Sequence, residues 1–515
     1  MPSSWSKYTI LFSIFFLARL LSFWLRFDAL GQGIIATVLL VLLVAAYFKN
    51  PRWAWYLVLG ELFLGGSGQL FQLGGLAART LMLVIFLALW FFDQYRHGNL
   101  RTSLRLDKKL LWLGAAAGFF LLLEVAVAYF QGHGVRAIFQ DVWPFAFLLL
   151  IFPARQFFET ADGVAKARAI LTRLVGVFMI GNAIFGLITW GLFVSGQTVL
   201  QSPFYKWFRD VLMGKITDLG TGFWRVVEPT HLLIVPLILI IVAWLMAQRK
   251  EGRAMPAESH GAESGAKMRE WSKSSASRWW SWICLTAGLL ILAMNLSRAY
   301  LLGLALGFLI LLALYGWRSW WRPALLSAAI FMALFFGLNL AASGGRTIGL
   351  ELFGLRLGSV VAPNSEESSA TRMMILPELL KNIKAHPLLG VGFGSSVTYF
   401  NSFAQKDITT RNLDWGYLEM YLELGLLGCL TFLAAVVYLA RELWRRAREK
   451  SRANKFDTVA DTVATRQVLT AGLLAGLGAL LVINITAGAF LHVYGMVFLA
   501  GAILVLNKNY ACLGH

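Results

Sequence analysis

The sequence predicts an all-α polytopic membrane protein: a bundle of about 14 transmembrane spans with one large loop, containing short helices, on one face. Three observations predict it. Hydrophobic residues make up 58% of the chain and charged residues 14%, where a soluble domain carries about 25% charged residues. Apolar runs long enough to cross about 30 Å of hydrocarbon recur along the whole chain. Those runs are too long, and alternate too little, to be the strands of a barrel.

In chain order, spans are expected at 8–26, 33–48, 53–70, 78–93, 110–130, 137–152, 172–195, 229–247, 279–296, 298–315, 324–341, 415–440, 467–486 and 488–506. The first contains Arg19 and lacks a small-residue cleavage site, so it reads as a retained helix rather than a signal peptide. The third is the weakest, because Glu61 and Gly65-Gly66-Ser67-Gly68 interrupt it. This divides the chain into N-terminal helices (1–195), a first outer loop (196–228), central helices (229–341) with a polar linker (248–278), a large outer loop (342–414), and C-terminal helices and tail (415–515).

The net charge of +19 is scattered over short loops, which excludes a folded basic domain for nucleic acid. It fits the positive-inside rule. With the N-terminus cytoplasmic, about 30 Lys and Arg collect on the cytoplasmic side and about 15 outside. Both termini are then cytoplasmic and both long loops face the outer side. Arg441 to Lys455 reads as a basic helical extension resting on anionic headgroups of the bilayer. Of the three cysteines, Cys284 and Cys429 lie in apolar spans and Cys512 in the tail; none has a partner at metal-site spacing. No metal and no cofactor are expected. There is no internal repeat of the kind secondary transporters carry.

The chemistry-bearing residues gather on the outer side. Trp224-Arg225-Val-Val-Glu228-Pro229 stands where the first loop re-enters the membrane. Pro229 is a good first helical residue. Glu228 can complement the helix dipole, and Arg225 can anchor the interface or bind an anion. Arg298 sits at a turn, Asn295-Leu-Ser-Arg298, with almost no loop between two apolar helices; it snorkels or lines a polar cavity. In the large loop, Arg372 has the planar fork that suits a pyrophosphate. His386 is followed by Gly390, Gly392 and Gly394, where the backbone could approach a phosphate or sugar or simply turn. Met373, Leu376, Leu380 and Ile383 mark one face of a short amphipathic helix, which Pro377 could start or break. Asp414 at the membrane edge is either a general base or a helix N-cap. Glu419 and Glu423 share one face of the following span, and the deeper Glu423 needs a partner, for which the outer arginines are candidates.

At these residues the chain resembles the O-antigen ligase and Wzy polymerase superfamily of bacterial membrane glycosyltransferases. The matching features are Arg225 with Glu228-Pro229, the Ser297-Arg298 turn, and Ser368/Arg372 followed by His386-Pro-x-x-Gly-x-Gly-x-Gly394. Tyr417-Leu through Glu423-x-Gly425-x-x-Gly428 completes them. The resemblance covers roughly residues 200–440. It implies an inner-membrane enzyme acting on a glycan linked to undecaprenyl diphosphate, without nucleotide sugar, cofactor or metal. Arg225, Arg298 and Arg372 would hold the diphosphate. Asp414, Arg298 and His386 would act in the chemical step, with Glu228, Tyr417, Glu423, Gly390 and Gly392 supporting. The acceptor would be a second glycan or lipid A-core, and a polymerase would take a chain-length regulator as a partner. Ligases of the family carry His-Asn-x-Tyr-Leu where this chain has Asp414-Trp415-Gly416-Tyr417-Leu418. That substitution favours a repeat-unit polymerase over a ligase. A flippase for a lipid-linked saccharide is the competing class. It requires charges through mid-membrane and inverted symmetry, whereas the arginines crowd one face.

Overall fold

The computed structural model describes residues 2–104, 107–157, 161–220, 222–254, 275–352, 354, 367–449 and 459–507. Most of the polar linker, the centre of the large loop, the end of the basic extension and the tail with Cys512 lie outside these. The helices are α1 (Pro2–Trp24), α2 (Ala29–Lys49), α3 (Pro51–Leu64), α4 (Ala78–Arg96), α5 (Leu100–Ser103), α6 (Lys108–Phe130), α7 (Val135–Val142), α8 (Ile151–Phe157), α9 (Ala161–Val194), α10 (Pro203–Asp210) and α11 (Ile234–Ala254). They continue with α12 (Ser275–Asn295), α13 (Arg298–Tyr315), α14 (Trp317–Ala342), α15 (Glu367–Ala385), α16 (Gly416–Arg448), α17 (Val459–Ile483) and α18 (Val493–Leu506). The strands form three small antiparallel hairpins: Gln72–Leu73 with Leu76–Ala77 (β1–β2), Lys215–Asp218 with Trp224–Val227 (β3–β4), and Val397–Asn401 with Lys406–Thr410 (β5–β6).

The chain is a multi-pass helical membrane protein. Each expected span appears as an apolar helical segment, but among the described residues 11 of them, not fourteen, are long and apolar enough to cross a bilayer. Two fall short: α3 and α18, of 14 residues each. The third, α12, has 21 residues, and its start is polar, with Arg278 among serines and tryptophans. The expected span 137–152 is broken: α7 passes through a 3₁₀ stretch at Trp143–Leu150 into α8. Local signals set the helix starts. Asp28 caps α2 by accepting from the Gly31 N–H, and Asn50 caps α3 directly before Pro51.

Lipid tails are as apolar as leucine, so the bundle is held by close packing rather than by a hydrophobic drive. Small residues sit where backbones meet. A Cβ on Gly303 of α13 would stand 2.8 Å from the Ala479 carbonyl of α17, and one on Gly472 would meet Ile240 of α11 at 2.7 Å.

Helix α3 ends, and α16 is interrupted, among buried residues, and both breaks need substitutes for lost backbone partners. At the end of α3, Arg79 Nη2 donates to the carbonyls of Gly66 (2.7 Å) and Leu62 (3.3 Å), while Arg19 Nη1 donates to Leu64 (2.9 Å). The Tyr494 hydroxyl also donates to Gly66. Glu61 balances Arg79 through an ion pair of 2.5 Å. The glycines that weaken the third expected span therefore form a real break, and buried arginines cap it.

The second break is in α16. Gly425 has φ 59° and ψ −174°, a conformation nearly restricted to glycine. The interrupted ladder is completed from the large loop. Leu426 N–H donates to Pro387 (3.0 Å), Leu427 N–H to Leu388 (3.2 Å), and Val391 N–H to Leu422 (2.8 Å). The loop thus clasps α16 and carries its own small apolar core: Ile375, Leu379, Ile383, Val397, Tyr399, Leu413 and Leu422. Its helix α15 starts at Glu367 and runs straight through Pro377. The buried stripe is Ile375, Leu379 and Ile383, whereas Met373 and Leu380 of the expected face are exposed. Spacings of three and four fit both stripes; packing on Val397 and Tyr399 selects one.

Replacing Arg79 by Met should destabilise the protein by about 3–5 kcal/mol, because Glu61 is left buried and uncompensated. Thermal unfolding in detergent reads this, and a wild-type midpoint would refute it. Gly425→Ala places a Cβ 2.3 Å from the Leu388 carbonyl and should cost more than about 2 kcal/mol in the same assay.

Candidate functional site

Alternation of the spans puts the segment 195–228, the turn 296–297, the loop 343–415 and the segment 484–492 at one end of the bundle. Two polar corners form there.

The first corner is built on the turn between α12 and α13. Leu296 takes φ 46°, an outlier for a bulky side chain, and lets Arg298 open α13 directly. Arg225 reaches the same turn from β4, where it pairs in register with Thr217. Its Nε donates to the Asn295 carbonyl at 2.6 Å. Glu228 caps the 3₁₀ turn Pro229–Leu233 that leads into α11, in a reciprocal capping box with His231. Its carboxyl also accepts from the Thr230 hydroxyl at 3.4 Å. Glu228, His231 and Asn295 are all fully buried. An open cleft of about 700 Å³ lies beside the β3–β4 turn, lined by Gly222, Arg346 and Glu351 among others.

The second corner joins the loop to α16. Arg372 Nη2 stands 3.7 Å from Asp414 Oδ2. The Arg372 carbonyl accepts Trp415 Nε1 at 3.1 Å, which fixes the helix against the loop. Asp414 is half-exposed and has φ 53°, so a strained backbone presents its carboxylate. Trp415, not Asp414, is the N-cap of α16. Glu419 accepts the Leu413 N–H. Glu423 is buried and in hydrogen-bond contact with the Asp141 carboxyl. Asp141 also accepts Arg411 Nη2 (2.5 Å) and the Gly394 N–H (2.8 Å). The partner of Glu423 is therefore Asp141 with Arg411 close by. Arg411 belongs to the large outer loop, so an outer arginine does lie near Glu423, with Asp141 making the direct contact.

Helix α17 is the wall common to both corners. Gly303, just beyond Arg298 on α13, packs on Ala479 and Ile483. Tyr417 donates its hydroxyl to the Leu481 carbonyl at 2.7 Å. His386 stands apart: it is exposed and follows the far end of α15. About 20 Å of helix separates it from Arg372 and hence from Asp414. The glycines meet protein. A Cβ on Gly390 would collide with Gly425 N, one on Gly392 with Ala128 N, and one on Gly394 with Ile138 N. Asp141, Arg411 and Asn295 were missed by the sequence reading. Asp141 lies in a short, strongly amphipathic helix that reads as ordinary span, and no local pattern ties it to a loop 250 residues later. Among the described residues, no cluster of His, Cys, Asp or Glu has the geometry of a metal site.

Residues 282–433 match the family model for O-antigen ligases. The matched stretch contains Asn295, Arg298, Arg372, His386, Asp414 and Glu423, and leaves out Arg225 and Glu228. No curated protein matches the chain. The match supports a membrane-embedded glycan-processing enzyme.

Burial pushes the Glu228 carboxyl above its usual range, against the pull of Arg19 and the Thr230 hydroxyl. A raised folded-state pKa gives stability that is complete at acid pH and is lost as pH rises from the ordinary value of 4.5 through the folded-state value. Wild-type thermal stability should therefore fall relative to Glu228→Gln across that window. Parallel curves for the two proteins would remove Glu228 as the source.

Proposed function

We propose that the chain is a glycosyltransferase of the bacterial inner membrane, with its site at the periplasmic face. It polymerises saccharide repeat units carried on undecaprenyl diphosphate. The ion pair of Arg372 with Asp414 carries this reading: a permanent cation and a half-exposed carboxylate on a strained backbone, at the same end as Arg225 and Arg298. Arg225, Arg298 and Arg372 hold the diphosphate of the donor, since fixed guanidinium forks suit its paired anionic oxygens. Asp414 accepts the proton of an acceptor hydroxyl. The hydroxyl oxygen bonds to the anomeric carbon, and the bond from that carbon to the diphosphate oxygen breaks. Undecaprenyl diphosphate leaves with the electron pair, its charge offset by the arginines. A single displacement inverts the anomeric centre. His386 takes no part in this step; Gly390 serves the clasp on α16, and Gly392 and Gly394 pack on α6 and α7. Tyr417 and Glu423 hold α16 against its neighbours. The acceptor is the growing glycan of a second carrier lipid, and a chain-length regulator is the expected partner.

A second reading, transfer of the finished glycan to lipid A-core, is favoured by the description of the matching family. Electrophoresis of surface polysaccharide from a deletion strain separates the two. Single-repeat caps on lipid A-core identify a polymerase. Bare core, with long chains accumulating on undecaprenyl diphosphate, identifies a ligase. Complementation with Asp414→Asn should reduce turnover by roughly 10²–10⁴-fold, and Arg298→Ala should fail to restore the wild-type profile. Full complementation by both variants would overturn the enzymatic reading.

A further inference from the structure

Beneath Arg225 lies a chain of buried polar groups that the proposed chemistry does not use. Asn295 ends α12, where helix carbonyls lack partners within the helix, and its carbonyl is the one that accepts Arg225 Nε at 2.6 Å. The Asn295 side chain is buried and extends to His231, with Nδ2 at 3.2 Å from the ring Nδ1. The same Nδ1 accepts the backbone N–H of Glu228 at 3.3 Å. A backbone amide can only donate, so Nδ1 carries no proton. The ring is then the neutral tautomer with its hydrogen on Nε2, and Asn295 Nδ2 must be the donor to Nδ1. Amide and imidazole orientations are thereby fixed together. The ring is also one half of the capping box that sets where β4 ends and α11 begins, three residues past Arg225. His231 therefore holds Arg225 from both sides, through Asn295 at the carbonyl and through Glu228 along its own strand.

We infer that His231 and Asn295 are positioning residues that aim the Arg225 guanidinium at an anionic diphosphate. This rests on the proposed role of Arg225 as a diphosphate ligand. Neither residue touches the ligand. Each acts through Arg225, as the groups behind a metal-bound histidine act through the ligand they orient. A cation whose plane is already fixed loses less freedom on binding a phosphate than one that must be ordered first.

The test uses the full-length protein in lipid nanodiscs and undecaprenyl diphosphate as the probe, because the leaving group does not depend on the sugar. Arg225→Ala should weaken binding about tenfold or more, the loss of one charge-assisted contact. His231→Phe keeps the ring volume but removes the acceptor and should weaken binding by a similar factor. His231→Asn, which offers an amide oxygen near the place of Nδ1, should recover most of the affinity. Adding His231→Phe to Arg225→Ala should cause no further loss, since a residue acting through Arg225 has nothing left to act on. An equal loss in both backgrounds would show that His231 only supports the fold, and would overturn the inference alone. Unchanged binding by Arg225→Ala would instead remove the reading on which it rests. Should His231→Phe fail to accumulate, Asn295→Ala takes its place in the cycle. It keeps the carbonyl that Arg225 uses and deletes only the link to His231. Wild-type binding by Asn295→Ala, with Arg225→Ala impaired, would also overturn the inference.

Discussion

Inside a bilayer every backbone N–H and carbonyl must find a partner within the protein, because no water is present to supply one. That constraint decides where polar chemistry can be built here. Regular helices meet it alone. The bundle departs from regular helix at α3 and at Gly425 of α16, and each departure recruits polar groups from distant sequence. At α3 the recruits are Arg19, Arg79 and Tyr494. At Gly425 they are the backbone of Pro387, Leu388 and Val391. The second case matters most for the site. It fixes the large loop onto the first turns of α16, and so sets Arg372 beside Asp414. The loop is not a lid laid over the bundle; it replaces part of one helix's hydrogen-bond ladder.

Much of this was legible in the sequence, and the reasons are specific. Apolar length marked the spans, and Glu61 with the glycines after Leu64 marked the broken one. Arg225, Arg298, Arg372 and Asp414 stood out because charges at the edge of apolar runs are expensive to keep. Periodicity could not choose the buried face of α15, since two stripes satisfy it and only β5 distinguishes them. Pairing across long separations was also hidden. Nothing near Asp141 announces Arg411 or Gly394, and nothing near His231 announces Asn295. The glycine run illustrates a different limit. A sequence shows that a Cβ is unwelcome at Gly390, Gly392 and Gly394, but not whether a ligand or another backbone occupies the space.

The two corners differ in charge. One holds Arg225 and Arg298 over a buried layer of neutral histidine and amide. The other holds Asp414 with Arg372, backed by Asp141, Arg411 and the acidic face of α16. Helix α17 packs against both corners, on Gly303 of α13 and on Tyr417 of α16.

The carbonyl that accepts Arg225 belongs to the negative end of a helix dipole. The guanidinium therefore has a resting partner whenever no phosphate is present, and the empty site keeps its shape. The same contact limits how tightly a phosphate would be gripped, since the phosphate competes with that carbonyl. If the proposed chemistry holds, a spent carrier lipid must leave before each new cycle, and a moderated grip would shorten the wait between one addition and the next.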